Sequence, residues 1–134
     1  MVLFVCIENS NRSQMAEGFA RMLGLAALSA GTFLSTHVNP LVIEATGEVG
    51  VDVSKSETKE VTEKMIDNAS VVVLTDASLE TALPGNLPKR MRKKVVMWSV
   101  PDPQGRPIEE IRLVRDDIER RVKDLAKNFS VAGR

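Results

Sequence analysis

The chain has 134 residues, 43% of them hydrophobic and 27% charged, the balance of an ordinary soluble globular protein and enough for one domain, 1–134, around a single core. Lys plus Arg and Asp plus Glu both number 18, so no net field draws the chain to nucleic acid or to an anionic membrane. No apolar run approaches the roughly 20 residues of a membrane span, the apolar N-terminal segment is short and lacks a basic lead-in for a signal peptide, and a lone cysteine excludes an internal disulfide; a cytoplasmic home fits these features.

Residues 2–7 form a continuous apolar run, the pattern of a central strand covered on both faces. Met15, Phe19, Met22 and Leu23 then fall on one helical face, which predicts a helix over 13–23 with Gly24 as its stop. A second, weaker strand is expected over 26–30, followed by a loop to Asn39 that carries the only histidine, His37, read as a loop or cap residue. Asn39 and Pro40 supply an N-cap and a proline at the first helical position, so a short helix should run to about Val49, closed by Gly50. Ser54 and Glu57 have the spacing of a capping box, with Val61, Met65 and Ile66 as the apolar face of a third helix ended by Asp67-Asn68. Val71-Val72-Val73-Leu74 is the clearest strand. Residues 76–83 suggest a short helix stopped by Pro84-Gly85, and the basic run Lys89 to Lys94 is expected to be a solvated loop. A fourth strand over 95–98 places Trp98 in the core. The turn-rich Pro101-Asp102-Pro103-Gln104-Gly105 leads to a final helix over 107–128, with Ile111, Val114, Ile118, Val122 and Leu125 on one face.

Strands alternating with helices indicate an α/β fold: a three-layer, open, four-stranded parallel sheet with helices on both faces. Such sheets bind ligands outside the carboxyl ends of their strands. Cys6 follows the first strand and Asp102 the fourth, so both belong to that rim. Between Cys6 and the first helix lies Ile7-Glu8-Asn9-Ser10-Asn11-Arg12-Ser13. Backbone N–H groups converge at such a strand-to-helix turn, and the positive end of the helix dipole favours an anion. Arg12 can grip two oxygens of a phosphate-like group with its planar fork. A cysteine at the floor of that cradle is a candidate nucleophile, since the thiolate is the attacking form.

Cys-x5-Arg-Ser directly after an N-terminal strand resembles the low-molecular-weight protein tyrosine phosphatases and the arsenate reductases that share their fold. Ser13 to Phe19 is similar to the reductase branch, and further likeness runs through Ser29 to Thr32, His37 to Pro40, Val71 to Leu74 and Trp98 to Pro103. The resemblance implies a cysteinyl-phosphate mechanism. Cys6 would attack, Arg12 and the N–H groups of residues 7–12 would hold the oxygens, and Asp102, in its Asp-Pro signature, would protonate the leaving group. It also implies that the Ser13 hydroxyl meets the thiolate and that Asn9 braces the loop. The phosphate-binding set is thus Ile7, Glu8, Asn9, Ser10, Asn11, Arg12 and Ser13, with no cofactor and no metal.

Two activities follow. The first is hydrolysis of a phosphorylated protein or a small phosphate ester. The alternative is arsenate reduction, which needs a second thiol to attack sulfur. Asn11, Thr75 and Leu83 stand where reductases of this type carry further cysteines, so that thiol would be external, a glutathione or a glutaredoxin. A third reading is a non-catalytic oxyanion-binding module on the same fold. Two departures bear on substrate. Glu8 replaces the usual glycine at the third loop position, and Gln104 rather than tyrosine follows Asp-Pro, leaving Phe33 or His37 as the only rings for a cleft wall. A monomer or weak dimer is expected.

Overall fold

A computed structural model describes residues 1–33, 35, 37–83 and 93–132. Its strands are β1 (Val2–Cys6), β2 (Ala27–Gly31), β3 (Val71–Leu74) and β4 (Val95–Met97). They form one sheet in the order β2-β1-β3-β4, with all three pairings parallel. Its helices are α1 (Arg12–Met22), α2 (Pro40–Gly47), α3 (Glu63–Asn68), α4 (Leu79–Ala82) and α5 (Ile108–Ala132). The expected open parallel sheet is the one observed.

Alternation along β1 and β3 divides the core into two layers. Val2 and Phe4, in register with Val71 and Val73, face α1, α2 and α5. Leu3 and Val5, in register with Val72 and Leu74, face the other side, where Ile66 of α3 and Leu79 of α4 cover them. This explains why β1 reads as uninterrupted apolar sequence: both faces are dry. Trp98 is buried beside Phe4, their ring centroids 5.7 Å apart. Helix α5 lays Ile111, Val114, Ile118, Val122 and Leu125 on the first layer. Arg115 ties it to α2, donating to the Ala45 carbonyl at 2.9 Å and to Glu48 at 2.8 Å.

The capping box expected at Ser54 and Glu57 does not form. The Ser54 N–H turns back on the Asp52 carboxylate at 2.8 Å, and the cap of α3 is Thr62, whose hydroxyl accepts from the Met65 N–H. Between them the chain runs extended so that Lys59 and Val61 can bond Gly31 at the edge of β2. Val61 therefore precedes the helix it was expected to join. Lys94 is likewise not a solvated side chain: its ammonium caps the C-terminal end of α3, donating to the Ile66 and Ala69 carbonyls at 2.6 and 2.9 Å. Pro84-Gly85 and Lys89 to Arg92 lie outside the described residues.

Ile118 is fully buried at the middle of the α5 contact. Ile118→Ala should cost about 2–5 kcal/mol by the usual cavity penalty, measured as a lower midpoint of urea unfolding at unchanged slope. A loss under about 1 kcal/mol would mean that α5 is not packed on this layer.

Candidate active site

The loop from Cys6 to Arg12 joins β1 to α1 at the carboxyl rim of the sheet. Four of its carbonyls are taken up by the scaffold. Cys6 O accepts from Thr32 N–H, Ile7 O from Phe33 N–H, and Ser10 O from Asn39 N–H, at 2.8–3.1 Å. Asn9 O accepts from the Gln14 side chain at 3.0 Å. With the carbonyls spoken for, the N–H groups of Glu8, Ser10 and Asn11 meet no acceptor among the described residues. That polarity is what an anion requires.

Asn9 makes the turn possible. Its φ of 57° is left-handed, a conformation that asparagine tolerates better than most residues. The reversal sends its N–H to Cys6 Sγ at 3.2 Å. Its side chain donates to Ser13 Oγ at 2.8 Å and accepts from Lys59 N–H at 2.8 Å. Ser13 Oγ lies 2.7 Å from Cys6 Sγ. Since the Asn9 amide already donates to that oxygen, the serine proton is free to point at sulfur, as the thiolate form would want. Asn9 and Ser13 are fully buried and stand apart from the lining of the cavity.

Gly31 is pressed against the same turn. A Cβ there would sit 2.7 Å from both Asn9 N and Ile7 O, closer than any side chain can come. Gly31 thus lets the β2 edge support the loop from beneath.

The cavity over the loop has a volume of about 60 Å³ and is lined by Cys6, Ile7, Glu8, Ser10, Asn11, Arg12, Asp102 and Gln104. A single tetrahedral oxyanion fills such a space. Arg12 is 1% exposed, at the first residue of α1 rather than in the loop before it. Its Nη1 donates to Val100 O at 2.8 Å and lies 3.6 Å from the Asp76 carboxylate; Nη2 lies 4.0 Å from Asp102. Its Nε and the Ser10 hydroxyl are buried and meet no partner among the described residues. Asp102 is held in a turn by the Gln104 N–H at 3.0 Å, with its side chain about half exposed at 45%. The Gln104 amide oxygen accepts from Asn11 Nδ2, and Asn11 in turn accepts from Asn39, so the Asp102 loop is fastened to the Cys6 loop.

Sequence reasoning brought Cys6, Arg12 and Asp102 to one cavity, and it missed Asp76. That residue was absorbed into a predicted helix, whereas the helix begins at Leu79 and Asp76 turns back toward Arg12. The available signal was its position, two residues past the end of β3 on the same rim. The Asp76 carboxyl is held below its ordinary value, chiefly by the Ser78 N–H and less by the Arg12 charge, with burial opposing. His37 lines a separate cavity with Val38, Ile43 and Glu57, and Phe33 is exposed. Among the described residues no ring lines the cavity over Cys6.

Residues 1–132 match the family model described as low molecular weight phosphotyrosine protein phosphatase. The chain belongs to that family. Among curated members, an arsenate reductase of Staphylococcus aureus (strain Newman) is 39% identical over 123 residues, spanning 88% of this chain and 89% of the relative. A glutaredoxin arsenate reductase of Synechocystis sp. is 36% identical over 135 residues, spanning 96% and 98%. A YwlE arginine phosphatase from Geobacillus stearothermophilus superposes with a TM-score of 0.89 over 98% of this chain and 93% of its own. At 23% identity, that last likeness concerns the phosphatase fold alone. The family model is thus named for phosphotyrosine phosphatase, while these two curated relatives are named for arsenate reduction.

A carboxyl with a lowered pKa adds stability above its unfolded value, here 3.8, and loses it as pH falls through the lowered one. Asp76→Asn should therefore flatten the acid limb of a plot of melting temperature against pH below about 4. An acid limb of unchanged slope would mean that Ser78 and Arg12 do not hold this carboxylate. Gly31→Ala should lower stability by about 1–3 kcal/mol through overpacking, measured by urea unfolding; wild-type stability would contradict the close approach.

Proposed function

We propose that this chain is a phosphate-monoester hydrolase acting through a cysteinyl-phosphate intermediate. The observation that carries this reading is a cavity of about 60 Å³ with Cys6 on its floor and Arg12 and Asp102 in its walls. In the first step the Cys6 thiolate attacks phosphorus, an S–P bond forms and the ester P–O bond breaks. Asp102, protonated, gives its proton to the departing oxygen. The unpartnered N–H groups of the loop and the free Arg12 Nε hold the three equatorial oxygens, where charge gathers in the transition state. In the second step Asp102, now a carboxylate, takes a proton from water; the water attacks phosphorus and the S–P bond breaks. Phosphate leaves and the thiolate is restored. Asp76 and Val100 O fix the Arg12 plane throughout, and Ser13 Oγ stabilises the thiolate as leaving group.

A second reading is arsenate reduction, favoured by the names of the relatives at 36% and 39% identity. Arsenate matches phosphate in shape and charge, and the same attack would give a Cys6–arsenic(V) adduct with loss of water. A thiol must then attack the Cys6 sulfur, leaving its electron pair on arsenic to release arsenite. Cys6 is the only cysteine of the 134 residues, so both the attacking thiol and the one that frees Cys6 from the mixed disulfide come from outside. A glutaredoxin with glutathione would supply them.

Hydrolysis of para-nitrophenyl phosphate separates the readings. Wild type should turn it over, Cys6→Ser should not, and Asp102→Asn should lose about 10²–10⁴-fold in kcat, the usual worth of a general acid. If the wild type is inert to the ester yet forms arsenite from arsenate when glutaredoxin and glutathione are added, the second reading replaces the first.

A further inference from the structure

The Glu8 carboxylate is a charged group of the cavity that the proposed mechanism leaves without a task. It occupies the third position of the loop, lines the cavity and is exposed at its mouth. Its backbone N–H meets no acceptor, and its carboxylate makes no hydrogen bond or ion pair among the described residues. A carboxylate this close to a phosphate site repels a dianion, and no cation among the described residues pairs with it.

The cavity is large enough for the phosphoryl group and little more, so the rest of any substrate lies outside, against the mouth. Among the described residues no aromatic ring lines the cavity itself, so stacking inside it contributes nothing to recognition. Among the described residues that line the cavity, Glu8 is an exposed carboxylate with no cation beside it, while Arg12 is buried and already faces Asp76 and Asp102. A phosphoryl group on a neutral aryl alcohol gains no contact from this rim and is opposed by it. A phosphoryl group with a positive charge a few ångströms beyond phosphorus meets Glu8 instead.

We propose that Glu8 is a specificity-determining residue that selects phosphoryl groups carried on, or beside, a cationic guanidinium or ammonium group. A phosphorylated basic peptide has this chemistry, whether the cation bears the phosphoryl group itself or sits next to the residue that does. The inference rests on the phosphatase reading above. It gives Glu8 a side-chain role at the mouth, distinct from that of its N–H in the cradle.

The test compares 4-methylphenyl phosphate with 4-(aminomethyl)phenyl phosphate, which differ by one ammonium group, on wild type, Glu8→Gln and Glu8→Lys. Wild type should favour the cationic ester in kcat/KM by about two- to fivefold, the range of an exposed ion pair. Glu8→Gln should bring the ratio close to that set by the leaving groups alone, lowering kcat/KM for the cationic ester and raising it for the neutral one. Glu8→Lys should invert the preference. Added salt should shrink the wild-type ratio and leave that of Glu8→Gln unmoved. The same ratio in wild type and both variants would overturn the inference while leaving the phosphatase reading intact. Turnover of neither ester by wild type would sink that reading and the inference with it.

Discussion

The site depends on the left-handed turn at Asn9. One residue directs its N–H at Cys6 sulfur, its amide at the Ser13 hydroxyl, and its side-chain oxygen at the Lys59 backbone. Those three bonds join β1, the start of α1 and the extended segment before α3. The strain of a positive φ is of order 1 kcal/mol or more, and three hydrogen bonds of about 1 kcal/mol each, two of them buried, are enough to hold it. Gln14, also fully buried, closes the arrangement from the first turn of α1 by donating to both Asn9 O and Asn9 Oδ1. The sheet and helices can be viewed as the frame that keeps this single residue reversed.

Arg12 sets the second constraint. A buried guanidinium is costly unless it is paired, and here it is only partly so. One carbonyl and two carboxylates lie within 2.8–4.0 Å, while Nε has no partner among the described residues. Full satisfaction would stabilise the empty fold and close the cradle. The arrangement instead keeps the charge in place and leaves one donor unused, the donor that the proposed mechanism assigns to an incoming oxygen.

The fold was legible because its two strong signals were patterns of apolar residues, one continuous and one periodic. The uninterrupted apolar runs of β1 and β3 gave central strands, and the Ile111-to-Leu125 stripe gave α5. Legibility failed at residues 54–62, where a local capping pattern lost to long-range demands. Lys59 and Val61 are needed at the edge of β2, and an early helix would have withdrawn them. Lys94 departs from expectation for a related reason: a charge run reads as solvated, yet one member reaches three backbone carbonyls, of Ile66, Asp67 and Ala69, at the end of α3. Cys6, Arg12 and Asp102 could be placed from strand ends and motif spacing. Asp76 could not, because its role comes from a turn that no periodicity reports.

Cys6 is enclosed by protein groups, 2% exposed, with Ser13 and Asn9 around its sulfur. In a chain with no other cysteine, that enclosure has a bearing on oxidative damage. A sulfur oxidised to sulfenic acid is ordinarily rescued by condensation with a neighbouring thiol, which halts the climb to the irreversible sulfinic state. No such neighbour exists within these 134 residues. Protection that needs no external thiol comes from occupancy of the cradle, since an oxyanion seated over the sulfur would bar peroxide from the same 60 Å³. The resting concentration of phosphate around the protein would then set how long its thiol survives.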